Sequence, residues 1–516
     1  MILLSNIEPI SLNRRAACPP GYRGRGGTRR KTICVDAIFL RVLRVLCGKG
    51  FWTFAVLACT SWSAIADLPA PIADALKRAN IPESALALHV QDLNQPAPLL
   101  ALNAEHAMNP ASVIKLVTTY AALETLGPAY QWKTEFYANG VQKGGKLTGD
   151  LIIKGYGDPK ITLETFWLWL RDLRTRGISE IKGNIVLDRG VFDIPNEDPG
   201  AFDGEPYKPY NTQPDALLLN FRSHRIRFLP EEDGKKLRIA FEVAIPEARI
   251  VNQVRLVSGG CGNWKDALAY RVQQTPKGLV LYFSGPYPAA CGEKSMHLAL
   301  LDPPAYVHAL FKPLWEELGG KWRGQIVDGV TPADARLLAR HDSPQLAEII
   351  RDINKFSNNV MARQLYLTLG AEMLGVPATL EKSNQAVNVL LATKGLNFLE
   401  LVMGNGAGLS RQTRISARHI GDLLRAAFHS PAFAEFESSL PIVATDGTMK
   451  KRLKDNAVAG HAHIKTGSLD GVRTLAGYVH DAKGRRMAVV CLINHPHAEA
   501  GRPVQDALLE WVYDRP

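Results

Sequence analysis

The sequence lacks the patterns by which metal sites, membrane spans and repeat architectures are recognised. Its 516 residues include seven cysteines, and neither a CxxC nor a His-x-x-x-His spacing is present to favour a metal site. The apolar run near the N-terminus, "FWTFAVLAC", is shorter than the roughly 20 residues needed to cross a bilayer. No internal repeat and no long low-complexity tract follows it. We therefore expect neither a metal ion nor another cofactor.

The sequence also lacks an even distribution of its positive net charge along the chain. The formal net charge is +11, but residues 1–66 hold ten Lys/Arg and two Asp/Glu, so they contribute +8 and leave +3 for the remainder. A nucleic-acid surface needs its basic residues clustered in the folded part of the chain. The charge distribution therefore predicts no nucleic-acid partner.

Residues 1–66 are typical of a secretion leader. Basic residues between 41 and 49 precede the apolar run, and "SAIA" ends in an Ala-x-Ala cleavage pattern at Ala66. This pattern predicts a periplasmic protein cleaved near Ala66; lipidation at Cys59 and peripheral membrane association are left open. Because signal peptides rarely begin forty residues into a chain, we interpret residues 1–40 as a misassigned start.

Cleavage at Ala66 would leave three cysteines. Cys491 lies in the strand-like segment "MAVVCLIN" and is predicted to be a buried thiol. Cys261 and Cys291 lie in Gly/Pro-rich surroundings, and an exported protein meets an oxidising compartment. They are candidates for a disulfide, which would stabilise the fold by about 3–4 kcal/mol.

The chain is longer than one hydrophobic core supports, so two or more domains are expected. From 131 to 300 short β-type runs dominate, with one helical segment, "LETFWLWLRDLRTRG". Helices and strands alternate on both sides, and the segment 472–495 predicts a hairpin that turns at 481–485. The pattern indicates a mixed α/β domain, residues 67–130 and 301–516, that carries a β-rich insertion, residues 131–300.

The segment "NPASVIKLVTTYAALETLG" places two polar residues, Ser112 and Lys115, at the head of an apolar helix. Asn109 is predicted to be the N-cap and Pro110 the first helical residue, so Ser112 falls in the first turn, where free N–H groups favour negative charge. Lys115 lies on the same face, and burial beside a second cation would let it take the serine proton. The other Ser-x-x-Lys segment, "SEIK" at 179–182, lies between glycines and is interpreted as surface.

Two further segments supply matching chemistry. "INKFSNNVMARQL" places Ser357 and Asn359 between two predicted helices, where a hydroxyl can relay a proton and an amide can bind a carbonyl or a lysine. "HIKTGSLDG" places Lys465, Thr466 and Gly467 at a strand end, where a cation and a hydroxyl can hold a carboxylate and glycine permits close approach. Each segment alone is more typical of a polar loop or an exposed strand end.

The order Ser-x-x-Lys, Ser-x-Asn, Lys-Thr-Gly is typical of penicillin-binding proteins and serine β-lactamases. The chain from about 68 to 516 resembles the class C low-molecular-mass penicillin-binding proteins of the penicillin-binding protein 4 type. The resemblance rests on the separation of 245 positions from Ser112 to Ser357 and on the segments "IKGYGDP", "NTQPDALLLNF" and "GNGAGLSR". The resemblance implies an α/β (α+β) DD-peptidase/β-lactamase-like fold, an antiparallel sheet flanked by helices with a large β-rich insertion. It implies a serine D-alanyl-D-alanine carboxypeptidase/endopeptidase that acts on peptidoglycan peptides and is acylated by β-lactams.

The resemblance also implies roles for further residues. The backbone N–H groups of Ser112 and Ser468 would bind the oxyanion. The turn "GNGAGLSR" departs from the family, because Asn405 and Ala407 replace its usual acid and serine. The nearest matches to the family's pocket for the substrate side chain are Glu205, Tyr210, Arg411 and Asp470.

Two other functions stay open at this point. A β-lactamase would share the acylation residues, but the insertion and the lack of a class A Glu-x-x-Leu-Asn segment disfavour it. A non-catalytic peptidoglycan-binding protein would not need the intact residues Ser112, Lys115, Ser357 and Lys465. The balance of carboxypeptidase and endopeptidase cleavage and the oligomeric state are left open.

Overall fold

The computed structural model of the chain describes residues 68–231, 236–246, 248–276 and 278–515. The predicted leader, with its cleavage site at Ala66 and the alternative lipidation site at Cys59, lies outside the described residues. Within the described ranges, no helix is both long enough and apolar enough to cross a membrane.

The described residues form ten α-helices: α1 (Ala70–Arg78), α2 (Lys115–Leu126), α3 (Leu163–Thr175), α4 (Pro303–Glu317), α5 (Leu346–Phe356), α6 (Asn359–Leu374), α7 (Leu380–Thr393), α8 (Ala417–Phe428), α9 (Phe433–Ser439) and α10 (Arg502–Tyr513). Several begin at side-chain caps, as α3 does at Thr162 and α4 at Asp302. The helix predicted in the β-rich region is α3.

The strands of the described residues are β1 (Leu86–Asp92), β2 (Leu100–Leu102), β3 (Lys133–Lys143), β4 (Lys146–Gly155), β5 (Glu180–Ile181), β6 (Ile185–Asp188), β7 (His224–Pro230), β8 (Leu237–Phe241), β9 (Ala248–Val257), β10 (Ala269–Thr275), β11 (Gly278–Pro288), β12 (Lys294–Leu298), β13 (Lys321–Trp322), β14 (Ile326–Asp328), β15 (Arg336–Asp342), β16 (Ala462–Leu469), β17 (Val472–His480) and β18 (Arg486–Asn494). The hairpin β17–β18 turns at 481–485, as predicted.

A five-stranded antiparallel sheet, in the order β16-β17-β18-β1-β2, carries the site. Alternate residues of its strands face two different cores. In β18, Val489 and Ile493 pack with α1 and α10, whereas Val490 and Leu492 pack with α2 and α5–α9. Both faces are buried, which explains the unbroken apolar run around Cys491, a buried free thiol as predicted.

A second, seven-stranded sheet is built from β3–β6 and β13–β15. It shares one core with α3 and α4, including Trp169 and Trp315. The "SEIK" segment forms β5 here, where Ser179 Oγ donates to the Gly145 carbonyl. Since β15 pairs with β3, this sheet continues to Asp342. α4 and β13–β15 thus pack with the strands of the predicted insertion rather than with the five-stranded sheet, although they follow its predicted end at 300.

Two three-stranded sheets, β10-β11-β9 and β12-β7-β8, complete the inserted region. They share a core that includes Phe228, Phe283 and Tyr287. Cys261 and Cys291 are joined here in a disulfide.

Candidate active site

The backbone before Ser112 is held in a sharp turn. Ala111 has a left-handed φ of 46°, and Gly408 allows the approach to its carbonyl, since an added Cβ would overlap the Ala111 oxygen. Residues Ala111–Ile114 form a 3₁₀ turn, and α2 begins only at Lys115. The prediction that Pro110 is the first helical residue is wrong: the 3₁₀ turn begins at Ala111, and Asn109 Oδ1 accepts the Ala111 N–H ahead of α2.

Lys115 is the centre of the site. The side chain is completely buried, whereas Ser112 is half-buried. Its Nζ lies 2.9 Å from Ser112 Oγ, 2.7 Å from Asn359 Oδ1 and 2.5 Å from the carbonyl oxygen of Ala407. An uncharged amine has two N–H donors and one lone pair. The amide and carbonyl oxygens, which can only accept, use both donors, and the lone pair is left for the serine O–H.

The charges around Lys115 favour the uncharged amine. Burial lowers the pKa of Lys115 well below its usual value, and the nearby positive charge of Lys465 lowers it further. Burial also lowers the pKa of Lys465, to about 7. Two buried lysines with depressed pKa values therefore face one cleft, an arrangement suited to proton transfer.

The Ser-x-Asn segment lies at the junction of α5 and α6. Ser357 has a left-handed φ of 56°, which turns the chain so that Asn359 becomes the first residue of α6. Ser357 Oγ accepts a hydrogen bond of 2.8 Å from Lys465 Nζ, which also donates to the Thr466 carbonyl. The structure therefore brings all three predicted motifs together through two lysine side chains.

Strand β16 closes the other side of the cleft. A Cβ at Gly467 would lie 2.9 Å from Ser112 N and 2.8 Å from the Pro110 carbonyl, so only glycine fits this approach. Ser468 follows with an exposed side chain at the cleft surface. Thr466 Oγ1 is hydrogen-bonded to Thr448 Oγ1 at 2.8 Å, a contact that no sequence pattern indicated.

Three of the four predicted pocket residues, Arg411, Asp470 and Tyr210, form hydrogen bonds with one another or with Asn359. Arg411 Nη1 donates to the Asp470 carbonyl at 2.7 Å, and its guanidinium lies 5.1 Å from the centre of the Phe202 ring. Asn359 Nδ2 approaches the Tyr210 carbonyl at 3.5 Å. Phe202 was missed because an aromatic residue in a loop has no distinguishing sequence signal.

The fourth predicted pocket residue, Glu205, forms its ion pair with Lys208 rather than with Arg411. Its side chain is about half exposed and lies 4.0 Å from Lys208. Its backbone carbonyl accepts from Asn211, whose amide also binds Asp203 Oδ1. Tyr210 donates to the same Asp203 carboxylate, so Asp203 orders this loop.

The "GNGAGLSR" turn, which departs from the family at Asn405 and Ala407, is closed by the amide of Asn405. Asn405 Oδ1 accepts the Ala407 N–H at 3.1 Å, and its Nδ2 donates to the Leu409 carbonyl at 2.9 Å. Lys115 uses the backbone carbonyl of Ala407, so a serine side chain is not needed for this contact. The amide of Asn405 thus bridges the turn through both of its polar atoms.

Comparison with known proteins gives one consistent result. The model of the D-Ala-D-Ala carboxypeptidase 3 (S13) family matches residues 68–514. The chain is 28% identical over 504 residues to a D-alanyl-D-alanine carboxypeptidase of Actinomadura sp., covering 94% of this chain and 90% of that one. It is 26% identical to the D-alanyl-D-alanine carboxypeptidase DacB of Haemophilus influenzae, over 78% of this chain and 84% of that one.

The fold agrees with these matches. The crystal structure of penicillin binding protein 4 (dacB) from Haemophilus influenzae superposes with a TM-score of 0.70 at 24% identity, covering 85% of this chain and 99% of that one. The predicted α/β fold, a helix-flanked sheet with a β-rich insertion, is confirmed by this similarity. Together, the matched length, the fold and the three motifs show that the chain belongs to the D-Ala-D-Ala carboxypeptidase 3 (S13) family.

Proposed function

We propose that the chain hydrolyses the D-alanyl-D-alanine bond of peptidoglycan stem peptides through an acyl-enzyme on Ser112. The observation that carries this proposal is the set of three contacts of Lys115 Nζ, with Ser112 Oγ, Asn359 Oδ1 and the Ala407 carbonyl. They present a lone pair to a serine hydroxyl that is accessible from the cleft. A serine hydroxyl needs such a base to act as a nucleophile at neutral pH.

In the acylation step, Lys115 accepts the hydroxyl proton of Ser112 while Oγ attacks the carbonyl carbon of the penultimate D-alanine. Ser112 is the second residue of the 3₁₀ turn, whose first N–H groups have no partner within the turn. The backbone N–H groups of Ser112 and Ser468 stabilise the tetrahedral oxyanion. Losing one such donor typically raises the activation barrier by about 3–4 kcal/mol. The oxyanion then collapses to the ester, and the peptide C–N bond breaks.

The departing amine needs a proton. Ser357 passes its hydroxyl proton to the amine and takes a proton from Lys465 Nζ, so the proton that Lys115 accepted from Ser112 is balanced by the one that Lys465 gives up. The hydrogen bond from Lys465 to Ser357 Oγ supports this role. Lys465, Thr466 and Ser468 bind the carboxylate of the leaving D-alanine, and Asn359 orients the peptide while it holds Lys115. Water then cleaves the ester and restores Ser112.

The acyl-enzyme is tested with benzylpenicillin, which presents an acyl donor whose amine stays tethered. Mass spectrometry should find one adduct, on the peptide that contains Ser112, and none in Ser112→Ala. Native protein without an adduct would overturn the mechanism. Nitrocefin measures turnover in the same preparation, and rapid turnover would favour the β-lactamase alternative.

A second assay separates peptidase activity from wall binding. Purified monomeric muropeptides should release D-alanine, and cross-linked muropeptides should be cleaved if endopeptidase activity accompanies it. Ser112→Ala should lose both activities and keep its binding to sacculi. Unchanged D-alanine release by Ser112→Ala would show that another residue is the nucleophile.

We further propose that the mature protein begins at Asp67, is periplasmic, and carries residues 133–342 as an accessory region inserted into the catalytic domain. The leader pattern supports the start at Asp67. The core that β3–β6 share with β13–β15 supports the accessory region. N-terminal sequencing of the protein recovered from its producing cells tests the processing. A mature N-terminus near Met1 would contradict it.

A further inference from the structure

Arg473 contacts the substrate side of β16 and has no part in the steps above. In the β16–β17 ladder it is directly opposite Ser468, so the two side chains stand on the same face. Its Nη1 donates to Ser468 Oγ and its Nη2 to the carboxylate of Glu499. The Arg473 side chain is 25% exposed and that of Glu499 is 88% exposed. The guanidinium thus joins a cleft residue to a counter-ion that faces solvent.

The direction of the bond to Ser468 determines what that hydroxyl can do. A guanidinium has N–H donors and no acceptor, so Ser468 Oγ must accept from Arg473. The O–H proton of Ser468 then points elsewhere, and none of the residues that the structure describes accepts it. A polarised donor with a fixed positive charge behind it suits an anionic oxygen of a ligand.

We propose that Arg473 is a positioning residue that fixes the Ser468 hydroxyl as a donor and so makes the site select a carboxylate on the leaving amino acid. This inference rests on the proposed peptidase function. Arg473 acts through Ser468 and through its charge, and Glu499 moderates that charge from the solvent side. A leaving group whose carboxylate has been converted to an amide gains nothing from Arg473.

The test compares diacetyl-L-Lys-D-Ala-D-Ala with its C-terminal amide as substrates of the purified full chain. We expect Arg473→Gln to lower kcat/KM for the acid by about tenfold and to leave that for the amide within about twofold, a size typical of one charge-assisted hydrogen bond. Glu499→Gln removes the counter-ion and should raise kcat/KM for the acid by about twofold. Arg418→Gln, at a surface ion pair with Glu105, is the matched control and should change neither value.

An equal fall for acid and amide in Arg473→Gln would overturn the inference, because a merely structural residue affects both substrates alike. An unchanged ratio of kcat/KM for the acid to kcat/KM for the amide in both Arg473→Gln and Glu499→Gln would also overturn it. The exposed Glu499 variant keeps the test decisive should Arg473→Gln fail to fold. If the native protein cleaves neither peptide, the proposed function fails, and the inference fails with it. If the native protein is active and the variants keep its acid-to-amide ratio of kcat/KM, the inference alone is rejected.

Discussion

Replacing Asn359 with aspartate tests whether Lys115 acts as an uncharged amine. Asn359 Oδ1 lies 2.7 Å from Lys115 Nζ in the buried half of the site. Aspartate has nearly the same shape but carries a full negative charge, which favours the ammonium form and raises the pKa of Lys115. At neutral pH the serine then loses its base.

A lower bound on the effect comes from a charge separation longer than the 2.7 Å contact. Two unit charges about 4 Å apart interact by about 4 kcal/mol at an effective dielectric constant of about 20. That energy corresponds to a roughly thousandfold lower ratio of amine to ammonium at a fixed pH. We expect Asn359→Asp to be acylated by benzylpenicillin about 10³-fold more slowly at pH 7, with roughly tenfold recovery for each pH unit above that.

Second-order acylation rates measured with a fluorescent penicillin from pH 6 to 10 provide the assay. The matched control is Asn358→Asp, because Asn358 Oδ1 caps α6 by accepting the Met361 N–H at 3.1 Å, and aspartate caps equally well. This control should stay near the native rate. Native acylation by Asn359→Asp at pH 7, or a deficit of the same size at every pH, would refute the assignment of Lys115 as the base.

Three other outcomes are expected. Because burial lowers the pKa of Lys465 to about 7, its positive charge is present below that pH and lost above it. We therefore expect kcat/KM for a carboxylate-terminated peptide to fall as the pH rises through about 7. Parallel pH profiles of kcat/KM for the acid and its C-terminal amide would contradict this. Gly467→Ala should reduce acylation by about 10²-fold or more, since its Cβ would lie 2.9 Å from Ser112 N; native labelling in a folded variant, checked by circular dichroism, would show that the close approach is dispensable. Cys261→Ser should lower the free energy of unfolding by about 3–4 kcal/mol by opening the loop to Cys291, with acylation unchanged at 25 °C; an unaltered melting temperature would show that this bridge adds no stability.

The meeting of the three motifs was predictable from the sequence because each motif carries its own local context. The apolar helix after Ser112, the helix junction at Ser357 and the strand end at Lys465 are all visible in the pattern of residue types. The contact with the Ala407 carbonyl was not predictable, because every residue has a carbonyl and only the folded turn directs this one at Lys115. The same holds for Arg473, whose link to Ser468 depends on strand register.

The boundaries of the insertion were harder to predict for a different reason. Strands β13 and β14 have only two and three residues, too few for an alternating pattern to appear. Helix α4 looks like any other amphipathic helix, and only tertiary packing assigns it to the core that holds Trp169. The exact start of α2 was misjudged because the left-handed Ala111 interrupts an otherwise regular helix signal.

The position of β18 has a consequence for how the chain is made. It lies between β17 and β1, and Leu86 pairs with Ile493. β1, the first of the described strands to be synthesised, therefore cannot pair with β18 until the last of them has been made. Pairing over such a sequence distance closes slowly, and the unfinished chain stays open for as long as synthesis lasts. A truncation that removes β18 would therefore take out an inner strand of the sheet and separate β1 from the strands that carry Lys465.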